Sequence, residues 1–257
     1  MLEALRVGDA RWCLPLGVAE VEAAVSGRRV EELGRRGKYL VWHLEGDVHL
    51  VMHLRMTGTL LLDPPDGAPY ARVRFELDDG SRLLFCDPRR FGTGELARSS
   101  EELSAFFAAR LGVEPLGADF TAERVRELAR GRRAPVKAFL LDQSKIAGVG
   151  NIYADEALFR ARIHPLRETG TLRRAQLGAL RDSVVAALSA GLAAGGATID
   201  DFRHADGVMG AFQDEFLVHR RAGEPCTVCG TTVRKFVAAG RGTYACERCQ
   251  PRPRKKS

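Results

Sequence analysis

Two Cys-x-x-Cys pairs, Cys226–Cys229 and Cys246–Cys249, are separated by sixteen residues. Each pair forms a tight knuckle that offers two thiolates, and the interval accommodates a β-hairpin closing a tetrahedral zinc site. Four thiolates leave zinc no open position, so the spacing predicts one structural Zn2+ and no catalytic role for it. A disulfide reading is weak, because Glu3, Arg6 and Asp9 interrupt any signal-like apolar stretch at the N-terminus. Cys13 and Cys86 are left over and read as buried free thiols.

Four further clusters have the residue types of a polyanion-binding surface. Between the cysteine pairs, Arg234-Lys235-Phe236 and Gly240-Arg241-Gly242-Thr243-Tyr244 give a basic, Gly-flexible hairpin tip suited to a phosphate backbone. Ribbons of this kind also occur as protein-binding modules. Ala147-Gly148-Val149-Gly150-Asn151 is a tight turn with a helix starting at or next to Asn151, whose free N–H groups can approach a phosphate. Arg132, Arg133 and Lys137 precede it on a neighbouring helix start. The alternative there is a plain helix–helix turn.

Asp87-Pro88-Arg89-Arg90-Phe91-Gly92 reads as a loop tip after a strand. One arginine can pair with a base edge, another with phosphate, and the Phe can wedge between base pairs. The same residues also fit a surface turn with a buried Phe. Arg35-Arg36-Gly37-Lys38 leads into a strand and puts a lysine among basic groups, where it can act as acid or nucleophile. A solvated basic face is the alternative.

These clusters must be positioned by elements the chain can build. At 257 residues it is long enough for two domains with their own cores. Residues 18–26 read as a short helix closed by Gly27, followed by strand-like segments to about residue 98. Glu45-Gly46-Asp47 and Leu77-Asp78-Asp79-Gly80-Ser81 are hairpin turn signals, so this part is expected to be a β-sandwich or barrel. Helical periods then run through 101–110, 121–130, 134–143, 151–160 and 171–193, with Thr121 and Thr171 as candidate N-caps. Residues 194–211 form a Gly-rich polar loop, and short strands return from Phe212 around the cysteines.

The net charge of +6 is uneven. From Arg220 to Ser257 ten basic side chains face two acidic ones, a local +8 that leaves −2 for the rest. The positive excess therefore sits around the cysteines, as in a polyanion-binding module. For Arg252, Arg254, Lys255 and Lys256 alone, a solubilising tail is the favoured reading. The longest uncharged run, Ser183–Ile199, is short of a bilayer span and contains three glycines, so a cytoplasmic location is expected.

Taken in order, Lys38, His53-Leu-Arg-Met-Thr-Gly58, the Arg-Arg-Phe loop, the Gly-Val-Gly-Asn turn and the terminal cysteine ribbon resemble the formamidopyrimidine-DNA glycosylase family. The resemblance runs from the first residues to Gln250. It implies an α+β chain with a β-sandwich (1–98), a helix–two-turn–helix domain (99–211) and a zinc finger with a basic tail (212–257), with DNA in the cleft between them. It also implies a base-excision-repair glycosylase and lyase for oxidised purines, acting as a monomer on double-stranded DNA with a damaged base. Met56, Arg89 and Phe91 would then fill the void left by the flipped nucleotide, with Arg89 facing the orphaned cytosine. Arg90, Arg133, Lys137 and Asn151 would hold phosphates. Lys38 would assist β-elimination and Arg241 δ-elimination. The loop near Thr198–Phe212 resembles one that closes over extruded 8-oxoguanine.

Two departures stand out. Tyr70 occupies the place of a DNA-contacting His; it can donate a hydrogen bond to phosphate but cannot become cationic. The family's Pro-Glu-Leu-Pro-Glu-Val-Glu segment has no counterpart, and Met1-Leu2-Glu3-Ala4 aligns past the first strand and helix of the family pattern. The expectation is a mis-assigned internal methionine as the start, which the genomic sequence upstream of codon 1 tests. The alternatives are a damaged-DNA-binding protein without glycosylase activity and a zinc-ribbon protein of no repair function.

Overall fold

The computed structural model describes residues 1–199 and 205–253. Part of the expected closing loop (200–204) and the end of the basic tail (254–257) lie outside the described residues. No helix among the described residues is long and apolar enough to cross a membrane. The chain divides into two compact units, Met1–Ala109 with Ala197–Ala211, and Arg110–Gly196 with Phe212–Ser257.

Among its described residues the first unit holds eight strands: β1 (Leu2–Val7), β2 (Val30–Arg36), β3 (Tyr39–Leu44), β4 (Val48–His53), β5 (Thr59–Leu62), β6 (Ala71–Leu77), β7 (Arg82–Cys86) and β8 (Thr93–Ala97). They form two antiparallel four-stranded sheets, ordered β1-β6-β7-β5 and β2-β3-β4-β8. Side chains alternate across each strand, so Val48, Leu50 and Met52 of β4 share one face with Trp42 and Leu44 of β3. That face packs on Leu5, Val73, Phe75 and Phe85 of the other sheet, with Trp42 stacked on Phe75 at 4.9 Å. Burial of each such side chain contributes about 1.5–3 kcal/mol. The expected sandwich is therefore present.

Both hairpin signals form turns. Gly46 (φ 80) and Asp47 (φ 56) join β3 to β4, and Gly80 (φ 81) joins β6 to β7. The helix α1 (Val18–Val25) ends just short of its expected boundary. The helix α2 (Ser100–Ala108) belongs with the sandwich and not with the later helices, which differs from the division at residue 98. The reason is its apolar face: Leu103, Phe106 and Phe107 cover Val41 and Val51 on the outer side of the second sheet. β4 is thereby buried on both faces, as its nearly continuous apolar run requires.

The second unit contains α3 (Ala122–Ala129), α4 (Val136–Leu141), α5 (Asn151–Arg160) and α6 (Arg174–Ala193), then the hairpin β9 (Arg234–Ala238) and β10 (Arg241–Ala245). Val125, Phe139, Leu140, Leu158, Leu180 and Val184 form its main core. Thr121 caps α3, its side chain accepting from Arg124 N at 3.1 Å. Thr171 does not cap α6. It ends a short 3-10 turn, its hydroxyl donates to Glu168 O, and α6 starts after Arg173. The cysteine ribbon packs on the helices of this unit, Phe159 of α5 meeting Val218, Val233 and Cys246.

Candidate nucleic-acid interface and metal centre

In the first unit the structure brings Met56, Arg89 and Phe91 together. Arg89 Nη1 lies 3.5 Å from Met56 Sδ, and its guanidinium sits 4.7 Å over the Phe91 ring. Met56 and Phe91 are 64% and 51% exposed. Two large apolar side chains gathered around a cation and left in solvent gain little from burial, so what holds their loops must lie beneath them.

Beneath them is Asp87, fully buried. Its Oδ1 accepts from the Thr57 hydroxyl (2.5 Å) and Arg89 N (3.2 Å), and its Oδ2 accepts from Phe91 N and Gly92 N (both 2.8 Å). Burial alone would push this carboxyl up, but the hydrogen bonds from Thr57, Gly92, Phe91 and Arg89 prevail and hold its pKa below the usual carboxylate range. The backbone closes tightly around Phe85: a Cβ at Gly58 would fall 2.6 Å from its ring and one at Gly92 2.3 Å from it. Arg55 (φ 59) and Arg90 (φ 58) adopt left-handed backbone next to Met56 and Phe91, a strain of about 1–3 kcal/mol each.

Arg90 points back into its own unit. Its Nε and Nη2 reach the two oxygens of Asp9 at 2.5 and 2.8 Å. That guanidinium, set against burial, holds Asp9 below the usual carboxylate range. Tyr70 is exposed with φ 62; its carbonyl accepts from Asp87 N, and the Arg72 guanidinium lies 5.9 Å from its ring. Arg72 Nε donates to Asp87 O at 2.9 Å, so a cation stands beside the uncharged Tyr70.

Lys38 is exposed in the two-residue turn between β2 and β3, where Gly37 takes φ 58. Near it lies His53 at the end of β4, edge-on to Tyr39 at 4.8 Å. Burial, then the charges of Arg55 and Lys38, push His53 down to about 4, so it is neutral at physiological pH.

In the second unit Arg133 is exposed in the turn before α4, but Lys137 is not at the surface. The lysine is fully buried; its Nζ donates to Asp155 Oδ1 (2.6 Å), Thr243 Oγ1 (2.8 Å) and Gly242 O (3.1 Å). The expectation of a direct phosphate contact is corrected here, because three donors on one ammonium leave no N–H pointing to solvent. Asp155 uses its other oxygen to accept from His219 Nδ1 at 2.8 Å. Asn151 also turns to the hairpin, Nδ2 donating to Gly242 O at 3.0 Å. Lys137 and Asn151 thus converge on the carbonyl next to Arg241.

Arg241 itself is exposed, directly after the hairpin tip of Ala239 (φ 53) and Gly240 (φ 66). The Gly148–Gly150 turn is knitted by Gln143, which donates to Val149 O and accepts from Gly148 N. Asp87, Asp155 and Gln143 were missed in the sequence because their partners are dispersed along the chain; the buried-pair rule for Lys was the one available signal.

The four cysteine sulfurs lie within 4.8 Å of one another, with Cys229–Cys246 at 3.5 Å and Cys226–Cys249 at 3.9 Å. Tetrahedral Zn–S bonds of about 2.3 Å place sulfurs about 3.8 Å apart, whereas a disulfide needs about 2.05 Å. The donor set fits one structural zinc held by Cys226, Cys229, Cys246 and Cys249. Cys13 and Cys86 are buried free thiols, as expected.

A sandwich with a wedge-like loop pair, a helical unit and a four-cysteine hairpin define a three-part class of protein, and family models cover all three parts. Residues 2–94 match the formamidopyrimidine-DNA glycosylase N-terminal domain, 111–203 its H2TH domain, and 223–252 a zinc finger found in FPG and IleRS. The chain is 46% identical over 228 residues to the formamidopyrimidine-DNA glycosylase of Roseiflexus sp. (strain RS-1), covering 88% of this chain and 83% of that one. It is 43% identical to that of Methylobacterium sp. (strain 4-46), covering 95% and 90%. Among solved structures it resembles the Lactococcus lactis Fpg in complex with abasic-site DNA (TM-score 0.90, 33% identity, 98% and 92% covered). It also resembles the MutM (FPG) protein of Thermus thermophilus (TM-score 0.88, 39% identity, 99% and 92% covered). The chain belongs to the formamidopyrimidine-DNA glycosylase family.

Proposed function

We propose that this protein is a base-excision-repair DNA glycosylase and AP lyase. It removes oxidised purines, 8-oxoguanine and formamidopyrimidines, from double-stranded DNA and cleaves the abasic strand by β/δ-elimination. The observation that carries this reading is the exposed Met56–Arg89–Phe91 group on its buried Asp87 support. Flipping a nucleotide costs a few kcal/mol of lost stacking, which inserted side chains offset. Phe91 supplies a stacking face, Met56 bulk, and Arg89 donors for the orphaned cytosine.

Arg133 and Tyr70 are the proposed phosphate-facing groups, with Asn151 at the start of α5 and Arg90 offering only the Nη1 side that Asp9 does not take. Lys38 and Arg241 are proposed to assist β- and δ-elimination. The zinc site is closed by four thiolates, so its part is to fold the hairpin that carries Arg241. A monomer in the cytoplasm is the proposed working form. Identity of 40–46% to proteins named as this enzyme does not favour the binder without glycosylase activity.

Borohydride trapping on a duplex with one 8-oxoguanine tests the reading. Only a Schiff base between enzyme and sugar gives a covalent adduct, and its absence at full duplex binding would favour a binder for this chain.

A further inference from the structure

We propose that Asp87 is a positioning residue that holds the Met56 loop and the Arg89–Phe91 loop as one preformed wedge. The inference rests on the repair reading and assigns a role to a residue that does not itself reach DNA. Asp87 is fully buried, and its two oxygens take four donors from two loops about thirty residues apart in sequence. A buried carboxylate is costly unless its lone pairs are met, and here Thr57 from one loop and three backbone N–H groups from the other meet them.

Apolar burial cannot set this geometry, because Met56 and Phe91 face solvent. Hydrogen bonding therefore must. The backbone of Asp87 adds two further ties, its N–H to Tyr70 O and its carbonyl accepting from Arg72 Nε. Gly58 and Gly92 both close on the Cζ end of one ring, Phe85, where no Cβ fits. The two loops share a floor and a carboxylate, so ordering is completed before DNA arrives and is not taken from the binding energy.

Asp87→Asn keeps the size but replaces one acceptor oxygen by a donor facing N–H groups. Thr57→Val removes only the tie between the loops. In the free protein, nuclear Overhauser contacts from the Arg89 side chain to the Met56 methyl and the Phe91 ring should be present. Asp87→Asn should lose both, and Thr57→Val should lose the Met56 contact while the protein stays folded. Retention of both contacts in both folded variants overturns the inference.

The functional arm measures the affinity ratio of 8-oxoguanine duplex to intact duplex. Asp87→Asn should lower that ratio about tenfold, the scale of hydrogen bonds to a charged group. The salt slope should not change, since no phosphate contact is lost. Added to Phe91→Ala, Asp87→Asn should lower the ratio by clearly less than it does alone, because part of its effect runs through that ring. A second full loss would overturn positioning. A wild-type protein with no preference for the lesion would instead refute the repair reading, while the contacts in the free protein still decide the role of Asp87.

Discussion

The ammonium of Lys137 lies 2.6 Å from the carboxylate of Asp155, with both side chains fully buried. The same ammonium reaches Gly242 O and Thr243 Oγ1, so α4, α5 and β10 meet at one charge. Burial pushes the lysine down and Asp155 pulls it back, the net being below its ordinary value. Breaking such a pair leaves an uncompensated interior charge, at a cost of about 3–5 kcal/mol. Lys137→Ala should therefore lower the melting temperature sharply, and Lys137→Met with Asp155→Leu should recover much of the loss. A Lys137→Ala variant with wild-type stability but a lower salt slope in DNA binding would restore the phosphate role.

How much was legible in the sequence follows from how local each signal is. Gly46, Gly80 and Thr121 act on their immediate neighbours, and the cysteine pairs carry their geometry in their spacing, so hairpins, cap and metal site could all be read. Lys137 could not. A lysine beside Arg132 and Arg133 reads as surface, and its partner Asp155 lies on another helix. Asp87 was visible only as the start of a loop, because its partner Thr57 belongs to a different strand connection. The placement of α2 was likewise hidden, since its aromatic face is satisfied by Val41 and Val51, known only once the sheet exists.

The zinc site gives a second test. Cys229→Ser should leave three thiolates, and zinc content should fall from one per chain towards none. The ribbon's small core of Val218, Val233 and Cys246 should then open, with Phe159 exposed to solvent. Duplex affinity should drop, because Arg241 loses its fixed hairpin. Unchanged affinity in a zinc-free variant would remove the ribbon from the DNA surface.

His53 gives a pH-dependent test. Its folded pKa of about 4 lies below the ordinary histidine value, so the unfolded chain binds more protons between about pH 4 and 6.5. Stability from this group is present above the unfolded value and is lost as pH falls through that window. Nuclear magnetic resonance titration should find the ring neutral down to about pH 5. Lys38→Gln removes one repelling charge and should raise the value. A His53 that titrates near its ordinary pKa would mean that the ring is hydrated and not buried, with Arg55 and Lys38 farther from it.

The wedge separates lesion recognition from general affinity for DNA. Phe91 is half exposed, stacked under Arg89, and touches no phosphate in the proposed reading; Arg133 is exposed and can only neutralise one. Phe91→Ala should remove most of the preference for 8-oxoguanine duplex and leave the salt dependence nearly unchanged. Arg133→Ala should weaken lesion and intact duplex alike and lower the salt slope by roughly one. Both variants alter exposed side chains, so their melting temperatures should stay near wild type and the comparison reports on binding. Filter binding over a salt series, with both duplexes and both variants, decides it. If Phe91→Ala weakens the two duplexes equally, Phe91 serves its loop and not the flipped-out site. If Arg133→Ala leaves the slope unchanged, the cation that meets the backbone lies elsewhere.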